Sequence, residues 1–307
     1  MKHSLKITIY LVILFFVAQV AGLIITSQHL PKMEVTETGE TFINNQTSSL
    51  PGGAERPETS SEQETLLFIV GAVLFGTILL LLLIKFRLNR IWKGWFYVAI
   101  TLCLYISISS FLPERYHLYA LIAGIIIAYF KIIRHNIIVH NLTEILIYGA
   151  LGALFVPMEY MNLFVAVSLL LLISAYDMFA VWKSKHMVKL AEFQTQSKVF
   201  AGLFIPYKKS TGKETAQKST GKTTKGHNAI LGGGDIAFPL IFSGVILKGL
   251  LQEMQFYPAF FLTMIVSISA TAALLILFIK AEKGKFYPAM PFISAGCFVG
   301  LAITMLF

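Results

Sequence analysis

The chain has 307 residues, of which 56% are hydrophobic and only 13% charged, where a soluble domain of this length carries about 25% charged residues. Its net charge of +9 sits between apolar runs that recur along most of the chain, which excludes a soluble nucleic-acid-binding domain and indicates an integral membrane protein. Cys103 and Cys297 each lie inside an apolar run, so no disulfide framework or Cys-based metal site is readable.

Nine hydrophobic stretches are expected as transmembrane helices, near 6–27, 65–84, 94–112, 117–133, 140–157, 161–182, 228–250, 257–279 and 287–306. The fold class this implies is all-α and polytopic. At 1.5 Å per residue a helix needs about 20 residues to cross the ~30 Å hydrocarbon core. The first stretch follows Lys2 and Lys6 and is long for the apolar part of a signal peptide. Ala18-Gln19-Val20 is no small-x-small cleavage pattern, so this stretch reads as an uncleaved span. Segment 28–64 holds seven glutamates among Ser, Thr, Gly and Pro, and reads as a mobile polar loop. Its Asn45-Gln46-Thr47 has the form of a glycosylation acceptor.

Orientation follows from the Lys/Arg bias. With the N-terminus cytoplasmic and the C-terminus outside, every Lys and Arg falls on the inner side except Lys32, Arg56, Arg115 and Lys248. The basic charge is thus accounted for by topology and needs no nucleic acid. Residues 1–182 form helices one to six, 183–227 a cytoplasmic loop, and 228–307 helices seven to nine. Within the loop, Lys183 to Phe204 mixes charges with Val, Leu and Phe and is expected as an interfacial helix. The repeat of Lys209-Ser210-Thr211-Gly212-Lys213 at Lys218-Ser219-Thr220-Gly221-Lys222 reads as low-complexity and disordered. Ala216 to Thr223 resembles a phosphate-binding loop by coincidence, because no strand precedes it and no helix follows.

Only two aspartates occur, and both lie inside hydrophobic spans. A carboxylate at such a depth costs a few kcal/mol to insert and marks a functional candidate. Asp177 stands five residues before Trp182, roughly 7 Å in from the cytoplasmic end of span six. Asp235 stands seven residues after Asn228, on the order of 10 Å in from the same side. The spans are consecutive and antiparallel, so adjacent packing would bring both carboxyls to one level. Two such groups in low dielectric share a proton. One can then take a proton from water while the other polarises a scissile carbonyl, with no metal and no cofactor. Gly232, Gly233 and Gly234 each cost about 1 kcal/mol in a helix interior. They leave the start of span seven loose, which membrane depth tolerates beside protein or a watery cavity; close helix packing is the alternative use for such glycines.

Tyr176-Asp177 and Gly232-Gly233-Gly234-Asp235 resemble the Tyr-Asp and Gly-x-Gly-Asp signatures of the presenilin and signal-peptide-peptidase intramembrane aspartyl proteases. Pro288-Ala289-Met290, opening the ninth stretch, is similar to that family's Pro-Ala-Leu motif, with a volume-conserving Met for Leu. The resemblance implies an endopeptidase hydrolysing peptide bonds within transmembrane segments or signal peptides, with Asp177 and Asp235 catalytic. It implies an active-site support role for the glycines and Tyr176, and a substrate-positioning role for Pro288, Ala289 and Met290. Its expected partners are transmembrane peptides and the bilayer of the cell membrane, and a homo-oligomer is left open. The Lys bias gives the presenilin-like orientation, and the compact size resembles archaeal-type homologues.

The rival reading is a cation- or proton-coupled transporter using the paired aspartates, which calls for repeat symmetry between halves that the chain lacks. A zinc protease would need His-Glu-x-x-His, which is absent, and Ser294 has no His within a span core near it. His135 and His140 flank a boundary and read as structural. Glu144 reads as interfacial or paired with a polar neighbour. Tyr176 could equally line the cavity or pack in the core.

Overall fold

The computed structural model describes residues 5–35, 41–44, 50–86, 88–134, 136–184, 200–207, 227–281 and 287–307. Among these residues the chain is mostly helical, with α1 (Leu5–Ser27), α2 (Glu62–Lys85), α3 (Asn89–Ser109), α4 (His117–Arg134), α5 (Ile137–Phe155), α6 (Leu163–Phe179), α7 (Gly234–Leu250), α8 (Phe256–Lys280) and α9 (Met290–Thr304). Seven of these segments, α1 to α6 and α8, are long and apolar enough to cross a membrane, which makes the chain a multi-pass membrane protein. Helices α7 and α9 are shorter, at 17 and 15 residues.

Helix α1 buries one face in the bundle and leaves Tyr10, Ile13 and Val17 exposed. Its buried residues Thr8, Leu11, Phe15, Ala18, Gly22 and Ile25 recur every three or four positions, which puts them on one face. That face packs on α5, α7 and α8. Small residues allow the approach: a Cβ at Gly149 or Gly152 of α5 would strike Ile25 or Thr26 at 2.4 and 2.2 Å. Helices α8 and α9 lie equally close, because Gly296 and Gly300, one turn apart, meet the backbone of Ser269 and Val266. Helix α7 is buried almost all round from Ile236 to Leu247 and forms the centre of the core. Helices α3 and α4 pack on each other and on α5, with Ile100, Leu104 and Ala128 as a second, smaller core. Asn162 and Asn136 cap α6 and α5 by accepting amide hydrogen bonds from Val165 and from Ile138 and Val139.

The all-α expectation needs correction at two antiparallel ribbons. In the outer segment expected to be a polar loop, β1 (Lys32–Val35) pairs with β2 (Thr41–Asn44). The run Thr41-Phe42-Ile43 has the β-branched and aromatic character that suits a strand. Further along, Leu50 and Pro51 are buried, and Arg56 donates two hydrogen bonds to the Ala153 carbonyl at 3.2 Å. The described part of this segment is therefore tied to the bundle. Asn45 lies outside the described residues.

The second ribbon joins β3 (Gly202–Tyr207) to β4 (His227–Gly232). Gly202 to Phe204 were expected in an interfacial helix, and Asn228 to Gly232 at the start of span seven; both are strand. Leu203-Phe204-Ile205 favours extended structure, and Gly202, with φ +149°, is closed to side chains. Residues 185–199, the lysine repeat at 209–222, the phosphate-loop look-alike at 216–223 and His135 lie outside the described residues.

Candidate active site

Asp177 sits in the last turn of α6, which continues as a π turn over Ala180–Ser184. Asp235 sits in the first turn of α7, behind Gly233 as the N-cap residue. The two helices pack together, with the C-terminal end of one beside the N-terminal end of the other. Asp177 is 7% exposed and Asp235 is partly exposed. Their carboxyls are near enough to interact electrostatically.

The Asp177 carboxyl has a backbone partner. Asp177 Oδ2 accepts the Met290 amide at 3.1 Å, and the Ala289 amide interacts with the same carboxyl. These are the first amides of α9, which helix geometry leaves without internal acceptors. Pro288 and Pro291 on either side carry no N–H, so the amides left at this helix start both act on Asp177. The positive end of the α9 dipole points at the same carboxyl. One turn earlier, Ser174 Oγ and Ser294 Oγ are 2.8 Å apart and pin α6 to α9. Ser294 is thus a helix-to-helix contact, 3% exposed.

Asp235 lies against Gly232 at the start of α7. A Cβ at Gly232 would lie 3.2 Å from Asp235 Oδ2, and one at Gly233 would lie 3.1 Å from the Tyr148 hydroxyl. At these two positions the glycines permit close approach. Pro239, four residues beyond Asp235, has no N–H to give its main-chain carbonyl. The next carbonyl, that of Ile236, accepts from Gln19 Nε2 at 3.0 Å. Gln19 is fully buried and ties α1 to this first turn. Tyr176 is half-buried beside Asp177.

The strand register shows which edge of the ribbon is open. Asn141 grips Phe204 through both main-chain groups, at 3.0 and 3.1 Å. His140 Nε2–H donates to the Gly202 carbonyl at 2.8 Å, and Gly202 N–H donates to Glu144 Oε2 at 3.0 Å. Gly202 and Phe204 therefore turn their polar groups away from β4. Their antiparallel partners, Gly232 and Ile230, turn theirs away from β3. Gly232 lies beside Asp235, and Ile230, 41% exposed, stands on the open edge.

Several of these contacts were not anticipated. Glu144, expected at an interface or paired, is 1% exposed and bonds to Lys131, Tyr148 and Gly202. Lys131, counted among cytoplasmic charges, is itself buried at 5% exposure. His140 is buried and structural. Gln19, Asn141 and Tyr148 drew no notice, although a Gln inside an otherwise apolar span was a visible signal. Among the described residues, no group of three or more His, Cys, Asp or Glu could hold a metal ion.

Comparison with known proteins bears on what this arrangement serves. Two solved structures described as a presenilin family intramembrane aspartate protease, in C222 and P2 space groups, share the fold. The first has a TM-score of 0.58 at 15% identity, covering 95% of this chain and 94% of that one. The second has a TM-score of 0.61 at 16% identity, covering 96% of each. No curated protein matches the chain by sequence. The family model for signal-peptide peptidase, presenilin aspartyl protease matches residues 39–307. By that match over most of its length, the chain belongs to the signal-peptide-peptidase and presenilin family and is an intramembrane aspartyl protease.

Proposed function

We propose that Asp177 and Asp235 are the catalytic pair and that the substrate is a transmembrane segment opened into a strand. The observation that carries this reading is that the packed ends of α6 and α7 bring the two carboxyls within electrostatic reach of each other. Held close in low dielectric, the pair retains one proton, which belongs to the pair and not to either residue. The ionised carboxylate takes a proton from a water whose oxygen attacks the scissile carbonyl carbon. The protonated partner gives its hydrogen to the carbonyl oxygen. The tetrahedral gem-diol then collapses, breaking the C–N bond, as the newly protonated carboxyl gives its proton to the leaving nitrogen and the other carboxylate takes one from a gem-diol hydroxyl, restoring the shared proton. The amide of Met290 holds the Asp177 carboxyl in position and costs nothing to reorganise during reaction.

An intact helix hides its backbone hydrogen-bonding groups, so the scissile segment must unwind. The open edge of β4 at Ile230 offers such a segment main-chain partners beside Asp235. Pro288-Ala289-Met290 supports the opposite side of the site through Asp177. We place the N-terminus in the cytoplasm and the C-terminus outside, with α1 to α9 as nine crossings, on the strength of the Lys/Arg bias. Substrates with an outer N-terminus are then preferred.

The test is incubation of the detergent-solubilised protein with a single-span peptide and its inverted counterpart, read by mass spectrometry. Asp177→Ala and Asp235→Ala should each abolish cleavage. Cleavage persisting in either variant would break the two-aspartate reading, and a preference for the inverted peptide would reverse the orientation.

A further inference from the structure

A buried charge pair stands behind the ribbon that carries Asp235. Glu144 of α5 is 1% exposed and Lys131 of α4 is 5% exposed, and the two are in direct ionic contact. With Glu144 Oε1 taken by the lysine, Oε2 accepts two further donors. One is the Tyr148 hydroxyl at 2.5 Å, and the other is the Gly202 amide at 3.0 Å. Gly202 opens β3 and is registered opposite Gly232, where a Cβ would lie 3.2 Å from Asp235 Oδ2. The Tyr148 hydroxyl lies against Gly233, where a Cβ would come within 3.1 Å of it. One carboxylate thus holds both surfaces on which the Gly232-Gly233 turn rests. An ion pair without water needs its remaining lone pairs filled, and here the ribbon and the tyrosine fill them.

We propose that Glu144, oriented by Lys131, is a positioning residue for the protease reaction: it fixes the height of the β3–β4 ribbon, and through it both the approach of Asp235 and the bond presented for cleavage. This rests on the two-aspartate reading given above. Lys131 takes one oxygen and leaves the other aimed at Gly202 and Tyr148. In Glu144→Gln the lysine attracts the amide oxygen, so the NH2 group turns towards two donors and cannot serve them. The ribbon is then free to shift against Asp235.

The test uses the full-length protein and a single-span peptide, with steady-state kinetics and mass-spectrometric mapping of the cut. Glu144→Gln should lower kcat by about tenfold or more at a KM within about twofold, as expected for a misplaced reacting group. Its cuts should spread to neighbouring bonds. In Lys131→Met/Glu144→Gln the amide oxygen is released to accept from Gly202, so much of the lost kcat and the single cut site should return. A folded Glu144→Gln protein that cuts the same bond at wild-type rate would overturn the proposal, as would a double variant no better than the single one.

Should Glu144→Gln fail to fold, Tyr148→Phe, which keeps the ring, becomes the deciding variant. A severalfold lower kcat at unchanged KM supports the proposal, and wild-type kcat overturns it. Asp177→Ala and Asp235→Ala run beside these variants. If either aspartate variant still cleaves, the two-aspartate reading falls; if both are dead while Glu144→Gln is unaffected, only the positioning role falls.

Discussion

Asp177 and Asp235 reach each other from helix ends that treat them differently. Asp235 belongs to the first turn of its own helix, where an acid suits the dipole. Asp177 belongs to a last turn, where an acid is misplaced, and it borrows the N-terminus of α9 instead. Its reliance on the main-chain amides at the start of α9 suggests a substitution that leaves every side chain of the proposed pair intact. Ala289→Pro deletes one amide donor, while Ala289→Gly keeps it. A hydrogen bond to a charged group contributes about 1.5–3 kcal/mol, so the proline variant should lose roughly 10- to 100-fold in kcat. The glycine variant should lose far less. Equal rates for the two in a peptide-cleavage assay would mean that the Ala289 donor does not matter.

At the scale of elements, the β3–β4 ribbon is the unusual part of this helical protein. Its inner edge is satisfied by side chains of α5, which take the place of a third strand. Asn141 supplies a donor and an acceptor to Phe204, as a peptide group would. Asn141→Leu should therefore speed hydrogen exchange of the Phe204 amide by about tenfold, the equivalent of one lost hydrogen bond. Unchanged exchange would show that the edge does not rely on Asn141. The ribbon was also the least legible element in the sequence. The three glycines pointed either to a loose start of span seven or to close helix packing, and strand pairing across the intervening segment leaves no local signature. Asp177 and Asp235 were legible because acids are rare at such depth. The donors to Asp177 were not, because a backbone amide has no letter of its own. Glu144 and Lys131 were visible as polar interruptions of successive spans, while their meeting depended on how α4 packs against α5.

Across the whole molecule, the groups that meet around the aspartates come from α1, α5, α6, α7, α9 and the ribbon, and α2 stays at the edge against α3 and α6. The segment between α1 and α2 is fastened at Arg56, far along the chain from any acid of the proposed pair. Helix α9 has the least length to spare. Its 15 residues rise about 22 Å, short of the ~30 Å of a typical hydrocarbon core. A short span is accommodated by thinning the bilayer or by being pulled along its axis, at fractions of a kcal/mol per Å. Because the leading amides of α9 are bonded to Asp177, such a pull is transmitted to the carboxyl itself. Vesicles of short-chain lipid should support faster peptide cleavage than vesicles of long-chain lipid at equal substrate density, and a flat response would mean that α9 moves independently of the acid. Membrane thickness, a property of the solvent, would then act as a control on the enzyme.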